Sequence, residues 1–244
     1  MFRGIYTGTS GMLAELVRVN VISNNLANSA TVGYKRSQTV IRSFPEVFLY
    51  KFQNYREPLP LGVIGTGAYV DRVSTLNSPG NYVPSENPLD IAIKNGFLVV
   101  NTPVGERFTK NGQLTINSEG YLSTSDGYLV LGENGPIRIP QGRSIVFSSR
   151  GEVIVDGEVI DILRVVIPQG GDLIEKVGEN LVDFNPQPVQ PDLEQYALES
   201  SNVNTVREMV ELISAYRAYE SNQKIVQAED SITERLISDL GRFA

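Results

Sequence analysis

The chain has 244 residues and contains neither cysteine nor histidine. Disulfides, thiol nucleophiles, most zinc sites and the commonest general base are therefore excluded, which disfavours catalysis. The net charge of −7, from 21 Lys+Arg and 28 Asp+Glu, argues against a nucleic-acid partner.

The first predicted element is an amphipathic helix over residues 4–28. No continuous apolar run follows Arg3, so neither a cleaved signal peptide nor a membrane span is expected. Gly4, Gly8 and Gly11 weaken the first turns. Burying its larger apolar side chains, at about 2 kcal/mol each, offsets only about half the cost of ordering the segment. The helix therefore needs a packing partner.

Asparagines form a second stripe on this helix, at Asn20, Asn24 and Asn28. Asparagine is a mediocre helix former, but its amide can bond across a partly buried helix contact without the desolvation cost of a charge. The stripe is interpreted either as such a contact between chains or as a solvated face that ends in a cap.

After Gly33, a predicted helix stop, the chain becomes irregular. Residues 39–41 are compatible with a short strand. Residues 44–67 combine aromatic side chains with Pro and Gly and are predicted to be a linker. The glycine-rich stretch at 62–67 lacks the Lys-Ser/Thr of a phosphate loop, which argues against nucleotide binding.

Residues 68–181 are predicted to form an antiparallel, barrel-like or sandwich-like β domain. Short apolar runs alternate with Asn-Gly and Asp-Gly dipeptides, which are typical of hairpin turns. Strands are predicted at residues 89–93, 97–100, 113–116, 128–131, 152–155 and 163–167.

The candidate carboxylates for glycoside hydrolysis in this domain are Asp90, Glu119 and Asp126. Turn formation explains Glu119 and Asp126, and Asp90 has no partner that the sequence defines. No catalytic residue is predicted.

Residues 182–199 contain three closely spaced prolines and are predicted to be a semi-rigid linker. The last segment, 200–244, has the strongest helical signal, beginning with a capping-box pattern at residues 205–208. Its apolar stripe is too thin for a helix buried on all sides and is typical of a coiled-coil seam.

The two ends of the chain differ in charge. Residues 1–43 carry five basic residues and one acidic residue, whereas residues 192–244 carry five basic and ten acidic residues. Because exposed ion pairs contribute only about 0–1 kcal/mol each, the difference favours pairing of the ends without deciding it.

Together these patterns predict an α+β protein. Its N-terminal and C-terminal helices pair into a coiled-coil-like core domain, and the all-β domain is inserted between them. The predicted parts are the N-terminal helix with its extended segment (1–43), a linker (44–67), the β domain (68–181), a Pro-rich linker (182–199) and the C-terminal helix (200–244).

Motifs along almost the whole chain resemble the bacterial flagellar rod and hook family, in the family's order. Residues 23–28 and 31–36 resemble its N-terminal signature, and residues 198–204, 208–210 and 217–220 its C-terminal signature. Residues 87–93, 96–97, 107–112 and 120–122 are similar to the family's β domain.

The resemblance implies a structural subunit of the flagellar basal-body rod, not an enzyme, that polymerises helically through its terminal helices into a torque-transmitting drive shaft. Implied partners are copies of itself, other rod and hook axial proteins and the flagellar type III export apparatus. No cofactor, metal, nucleic acid or membrane insertion is implied. The implied location is the basal body in the cell envelope, reached without a cleaved signal peptide.

Residues 64–67, 178–181 and 201–204 look more like the distal rod protein than like its proximal-rod paralogue. Pro186–Pro191 stands where the distal group usually has a Gly-rich approach to the last helix, so both paralogues stay open. The alternative is a secreted β-domain binding module that oligomerises through a terminal coiled coil.

The predicted subunit interface consists of apolar and amide residues in both terminal segments. In the N-terminal segment they are Met12, Leu16, Val19, Asn24, Asn25, Leu26, Asn28, Thr31, Gly33 and Tyr34. In the C-terminal segment they are Ser201, Asn202, Val203, Met209, Ile213, Tyr216, Tyr219 and Val226. The apolar members are expected to pack between helices, and the amides to bond between subunits.

Overall fold

A computed structural model describes residues 3–51, 59–140, 144–170, 174–178 and 180–242, with side chains up to residue 239. It confirms the α+β class: α1 (Arg3–Ala27) and α2 (Thr205–Arg242) flank a region of many antiparallel strands. Neither of these helices is long and apolar enough to span a membrane.

The first strands are β1 (Ser37–Ser43), β2 (Val47–Lys51), β3 (Leu59–Ile64), β4 (Ala68–Thr75), β5 (Tyr82–Pro84), β6 (Ile91–Ile93), β7 (Phe97–Thr102), β8 (Gly105–Thr109), β9 (Leu114–Ile116), β10 (Leu122–Thr124) and β11 (Leu129–Gly132). They are followed by β12 (Gly135–Pro136), β13 (Ile145–Phe147), β14 (Glu152–Val155), β15 (Glu158–Ile162), β16 (Val165–Pro168), β17 (Glu175–Lys176), β18 (Leu181–Asp183), β19 (Pro186–Pro188), β20 (Leu193–Gln195) and β21 (Ala197–Glu199). All six strands predicted from the sequence are present, with ends shifted by one or two residues in five of them.

The chain divides into two compact units. Unit 1 consists of Met1–Asn24, Ser37–Val73 and Thr205–Ala244, and unit 2 consists of Asn25–Arg36 and Ser74–Asn204. Each unit is thus assembled from segments that are distant in the sequence. The five-part division predicted from the sequence stays a prediction.

In unit 1, glycines of α1 lie against α2. A β-carbon at Gly8 would lie 3.0 Å from Cγ2 of Val226, and one at Gly11 would lie 3.0 Å from Nδ2 of Asn222. Residue numbers rise along α1 as they fall along α2, so the two helices are antiparallel where they touch. The glycines that weaken the helix by propensity permit this close approach. Coiled-coil geometry along the pair stays a prediction.

The segment predicted to be a linker at 44–67 contains a hairpin. β2 and β3 pair antiparallel from Val47 opposite Ile64 to Lys51 opposite Leu59, with a register shift after Leu49. Alternating β-branched, aromatic and leucine side chains suit a pleated ladder. Residues 52–58 of the predicted linker lie outside the described residues.

β7 is an inner strand of the ten-stranded sheet in unit 2, whose main path runs β17-β18-β8-β7-β11-β10-β9. Leu98 and Val100 face one hydrophobic cluster, and Phe97 and Val99 face another. Burial on both faces explains why this strand is a continuous apolar run and not an alternating one. Closure of the sheet into a barrel or sandwich stays a prediction.

The Pro-rich segment predicted to be a linker is part of this sheet. β19 pairs antiparallel with β16, with Gln187 opposite Ile167. The N–H of Val189 donates to the carbonyl oxygen of Val165 at 3.1 Å, so odd-numbered residues bond to β16. The nitrogen atoms of Pro186 and Pro188, which carry no hydrogen, therefore face away from β16. An edge strand allows this because no partner strand needs a donor on that side.

Candidate functional site

Three motifs that are distant in the sequence meet inside unit 2. The N–H of Gly33 donates to the carbonyl oxygen of Glu199 at 2.8 Å. On its other side, a β-carbon at Gly33 would lie 2.5 Å from the carbonyl carbon and oxygen of Lys110. The N-terminal motif is thus held between the central and the C-terminal motifs.

Charged side chains fasten this junction, here called the lysine cluster and defined as Lys35, Lys110, Lys176 and Glu199. Nζ of Lys35 lies 2.5 Å from Oε1 of Glu199, and Nζ of Lys110 lies 3.4 Å from Oε2. The side chains of Lys35, Lys110 and Glu199 are 4%, 6% and 1% exposed. Water therefore screens these charges only weakly.

The charged side chains of the cluster also form hydrogen bonds with the main chain. Oε1 of Glu199 accepts the N–H of Gly80 at 2.8 Å. Lys35 also donates to the carbonyl oxygen of Ser78 at 2.9 Å, and Lys110 to that of Ile93 at 2.7 Å. These bonds satisfy ammonium donors that would otherwise be buried without an acceptor.

Burial opposes ionisation of Glu199, but hydrogen bonds from Lys35 and Gly80 and the charge of Lys110 outweigh it and lower the pKa of the carboxyl group. Burial lowers the pKa of the Lys110 amine, against the attraction of Glu199. Glu199 thus forms buried ion pairs with Lys35 and Lys110, and these pairs join chain segments that are distant in the sequence.

Lys176 extends the cluster towards Tyr34. Its Nζ donates to the carbonyl oxygen of Lys35 at 2.5 Å and lies 3.5 Å from the centroid of the Tyr34 ring. An ammonium over an aromatic face is attracted to it, whereas burial lowers the pKa of Lys176 to about 8.

This lowered pKa predicts a pH effect on stability. Between about pH 8 and the ordinary lysine pKa of 10.5, the unfolded chain binds more protons at Lys176 than the folded chain does. The free energy of unfolding contributed by this residue therefore rises with pH across that window. Lys176→Met should remove the rise, as measured by urea unfolding of wild type and variant from pH 7 to pH 10.5.

Lys94→Met is the matched control for this prediction. A hydrogen bond to Glu194 raises the pKa of Lys94 above the ordinary value of 10.5, so the folded and unfolded chains differ in protons bound at Lys94 only above that pH. Lys94→Met should therefore leave the slope between pH 7 and pH 10.5 unchanged. Equal slopes for wild type and Lys176→Met would contradict the prediction.

Several predicted interface amides are used inside the chain. Asn25 is fully buried, and its Oδ1 accepts the hydroxyl of Tyr34 at 3.2 Å. Because α1 ends at Ala27, Asn28 lies in the following turn, where its Oδ1 accepts the hydroxyl of Thr31 at 3.2 Å. The asparagine stripe on the helix therefore stops before Asn28.

Asn202 also acts within unit 2. Its Nδ2 donates to the carbonyl oxygens of Leu76 and Ser78, and its Oδ1 accepts the N–H of Arg36 at 2.7 Å. The C-terminal motif is thus hydrogen-bonded to the N-terminal motif at a second point. In its neighbourhood, Val203 donates its N–H to the hydroxyl of Ser201.

Burial sorts the predicted interface residues into three groups. Asn25 and Tyr34 are buried. Those of intermediate exposure are Met12, Val19, Leu26, Asn28, Thr31, Gly33, Ser201, Asn202, Val203, Tyr219 and Val226. Those exposed are Leu16, Asn24, Met209, Ile213 and Tyr216.

The exposed apolar residues form faces on the two helices. On α2 the face consists of Val206, Met209, Val210, Ile213 and Tyr216, with exposed fractions from 51% to 70%. On α1 it consists of Tyr6, Leu13 and Leu16. Both sets recur at helical spacing, and contiguous exposed apolar surface of this kind marks interaction sites.

Sequence reasoning missed the lysine cluster. Lys35 and Glu199 are 164 residues apart, and no spacing rule connects them. Both stand inside motifs that were singled out, but nothing in the sequence indicates that one neutralises the other. Lys176 lies outside every motif.

Family models match three parts of the chain. Residues 5–35 match the flagella basal body rod protein model, residues 92–155 the D1 domain model of the flagellar hook protein FlgE/F/G, and residues 194–239 the C-terminal model of the flagellar basal body rod FlgEFG protein.

Curated relatives extend the similarity over the whole chain. The flagellar basal-body rod protein FlgG of Caulobacter vibrioides is 31% identical over 95% of this chain and 97% of its own length. The rod protein FlgF of Buchnera aphidicola is 30% identical over 96% of both chains. The flagellar hook-basal body complex protein FlhO of Bacillus subtilis is 29% identical over the full length of both chains.

Proposed function

Because the chain belongs to the flagellar basal-body rod and hook family, we propose that it is a subunit of the rod that polymerises helically through its terminal helices. The family is a structural one, and its members assemble with copies of themselves and with other axial proteins of the flagellum. The proposed polymer is the torque-transmitting shaft of the basal body. Export through the flagellar type III apparatus, without a cleaved signal peptide, is part of the proposal.

The observation that carries this proposal is the exposed apolar face of α2. Fully burying a valine, leucine or isoleucine side chain contributes about 1.5–3 kcal/mol. Val206, Val210 and Ile213 are each more than half exposed, so much of that stabilisation is open to a neighbouring subunit. Leu16 and Tyr6 offer a corresponding face on α1.

Within the family we propose the distal rod protein over its proximal-rod paralogue. The support is the similarity of residues 64–67, 178–181 and 201–204 to the distal group; Glu179 lies outside the described residues. The relatives named FlgG and FlgF have almost equal sequence identity to the chain. Sequence identity therefore does not decide between the distal rod protein and its proximal-rod paralogue. Restoration of motility to a strain lacking its distal rod protein, but not to one lacking its proximal-rod paralogue, is the expected result.

Ile213→Asp should prevent polymerisation. The side chain is 55% exposed in the separate chain, so the folded subunit tolerates a carboxylate there, whereas an interface would bury it unpaired. Burying an uncompensated charge costs several kcal/mol per contact. Purified wild-type protein is expected to form long filaments as its concentration rises, as seen by electron microscopy, and the variant is expected to remain monomeric. Cells that carry only the variant are expected to be non-motile.

Val104→Asp is the matched control, since Val104 is an 81% exposed valine of unit 2 and belongs to neither helix. It should form filaments as wild type does, while Leu16→Asp should fail as Ile213→Asp does. Normal motility of the Ile213 and Leu16 variants would contradict the proposal. A closed small oligomer of the wild-type chain would favour the binding-module alternative.

A further inference from the structure

Residues 193–202, here called the closing segment, complete unit 2 from its C-terminal side. β20 pairs antiparallel with β6, and β21 pairs antiparallel with β5. These partner strands lie about a hundred residues earlier in the chain. The closing segment therefore makes long-range contacts in place of hairpins.

Side chains of the closing segment bond to several parts of unit 2. Oε1 of Gln195 accepts the N–H of Phe147 at 3.2 Å. Its Nε2 donates to the carbonyl oxygen of Pro88 at 2.6 Å and to that of Ile145 at 3.2 Å. These bonds tie the closing segment to residues 48 to 107 positions earlier in the chain.

The docked closing segment has an uncommon backbone conformation at one residue. Tyr196, between β20 and β21, has φ 61°, a left-handed conformation that is uncommon outside glycine. Its N–H donates to the carbonyl oxygen of Asp90 at 2.9 Å, and its own carbonyl oxygen accepts the N–H of Ser85 at 2.7 Å. Such a conformation persists where surrounding contacts hold it.

Charge makes the rest of unit 2 depend on the closing segment. Lys35 and Lys110 are buried against the carboxylate of Glu199. Until Glu199 docks, both ammonium groups lack the carboxylate of the cluster, and burying them uncompensated is costly.

Chain entropy favours formation of the sheet before the closing segment docks. β7 and β8 are joined by a short hairpin, whereas the bond between Lys35 and Glu199 closes 164 residues. The entropic cost of closure grows with loop length, so long-range contacts form after the local ones that shorten the loop.

We infer that the closing segment is a strap that docks last on unit 2, and that the carboxylate of Glu199 secures it by neutralising Lys35 and Lys110. The N-terminal motif around Lys35 is consequently fixed only when the C-terminal part of the chain has arrived. This order of folding goes beyond the proposed function and does not rest on it.

Pulse-labelling hydrogen exchange during refolding of the full-length protein tests the order. Amides of Leu122 and Thr124 report on the sheet, and amides of Gly33, Tyr196 and Ser200 report on bonds to or from the closing segment. Protection of the closing-segment amides is expected to arrive about tenfold or more slower than that of the sheet amides. Equal rates, or earlier protection of the closing-segment amides, would overturn the inference.

Glu199→Gln tests the role of the carboxylate. Its sheet amides should gain protection at the wild-type rate, while its closing-segment amides should exchange at least about tenfold faster than in wild type. Glu194→Gln makes the same chemical change at an exposed site of the closing segment and should behave as wild type. Wild-type protection at Gly33 and Ser200 in Glu199→Gln, or a refolding rate of the sheet amides that slows together with that of the closing segment, would overturn the role given to Glu199.

Discussion

Glu199→Gln is expected to lower the free energy of unfolding of unit 2 by about 3–5 kcal/mol, since it leaves buried lysines without their counter-ion. The change keeps the size of the side chain, removes its charge and replaces one acceptor oxygen with an NH2 donor. Lys35 and Lys110 lose the partner that each contacts within 3.4 Å. Urea unfolding, followed through the amides of unit 2, measures the loss.

Two further variants separate charge from shape. Glu194→Gln, exposed on β20, should change stability by less than about 0.5 kcal/mol. Replacing Glu199 by Leu together with Lys35 and Lys110 by Met should recover much of the loss, because an apolar substitute for a buried ion pair is often neutral. A Glu199→Gln variant as stable as Glu194→Gln would contradict the electrostatic role of the cluster.

Gly33→Ala is expected to destabilise unit 2 by about 2–5 kcal/mol, as the sum of two costs. Gly33 has φ 71°, and the left-handed conformation costs an L-residue about 1–2 kcal/mol. The added β-carbon would lie 2.5 Å from the backbone of Lys110, and overpacking of this kind costs about 1–3 kcal/mol more. The midpoint of thermal or urea unfolding measures the sum.

Gly127→Ala isolates the conformational cost. Gly127 has a similar φ of 85°, but a β-carbon there would meet nothing within 4 Å. Gly127→Ala should therefore lower the free energy of unfolding only by the cost of the left-handed conformation, about 1–2 kcal/mol. Equal losses at Gly33 and Gly127 would mean that the backbone of Lys110 yields freely to the new methyl group.

Local patterns were sufficient for both helices and for six of the strands. The helical spacing of apolar residues predicted α1 and α2, and hairpin dipeptides with apolar runs predicted strands such as β7 and β14. These signals work because they depend on neighbours within a few residues. The motif resemblance to the flagellar family is confirmed by relatives that match the chain over nearly its full length.

The structural roles of prolines and glycines were predicted less well, because these roles depend on the chain segment that lies opposite them. Pro186 and Pro188 indicated a linker, yet they occupy an edge strand whose bonds pass between them. Gly8 and Gly11 indicated a weak helix, yet they admit α2 at close range. In each case the partner comes from a distant part of the chain.

By itself, the sequence determined the α+β class, six strands of the β region, the two terminal helices and the family. Tertiary structure alone decided that Lys35, Lys110 and Glu199 share one buried site, and that Asn25 and Asn202 bond inside the chain. It also left the apolar face of α2 open. The physical reason is that helices and hairpins follow from local spacing, whereas neutralising a buried charge requires a group that folding brings from far along the chain.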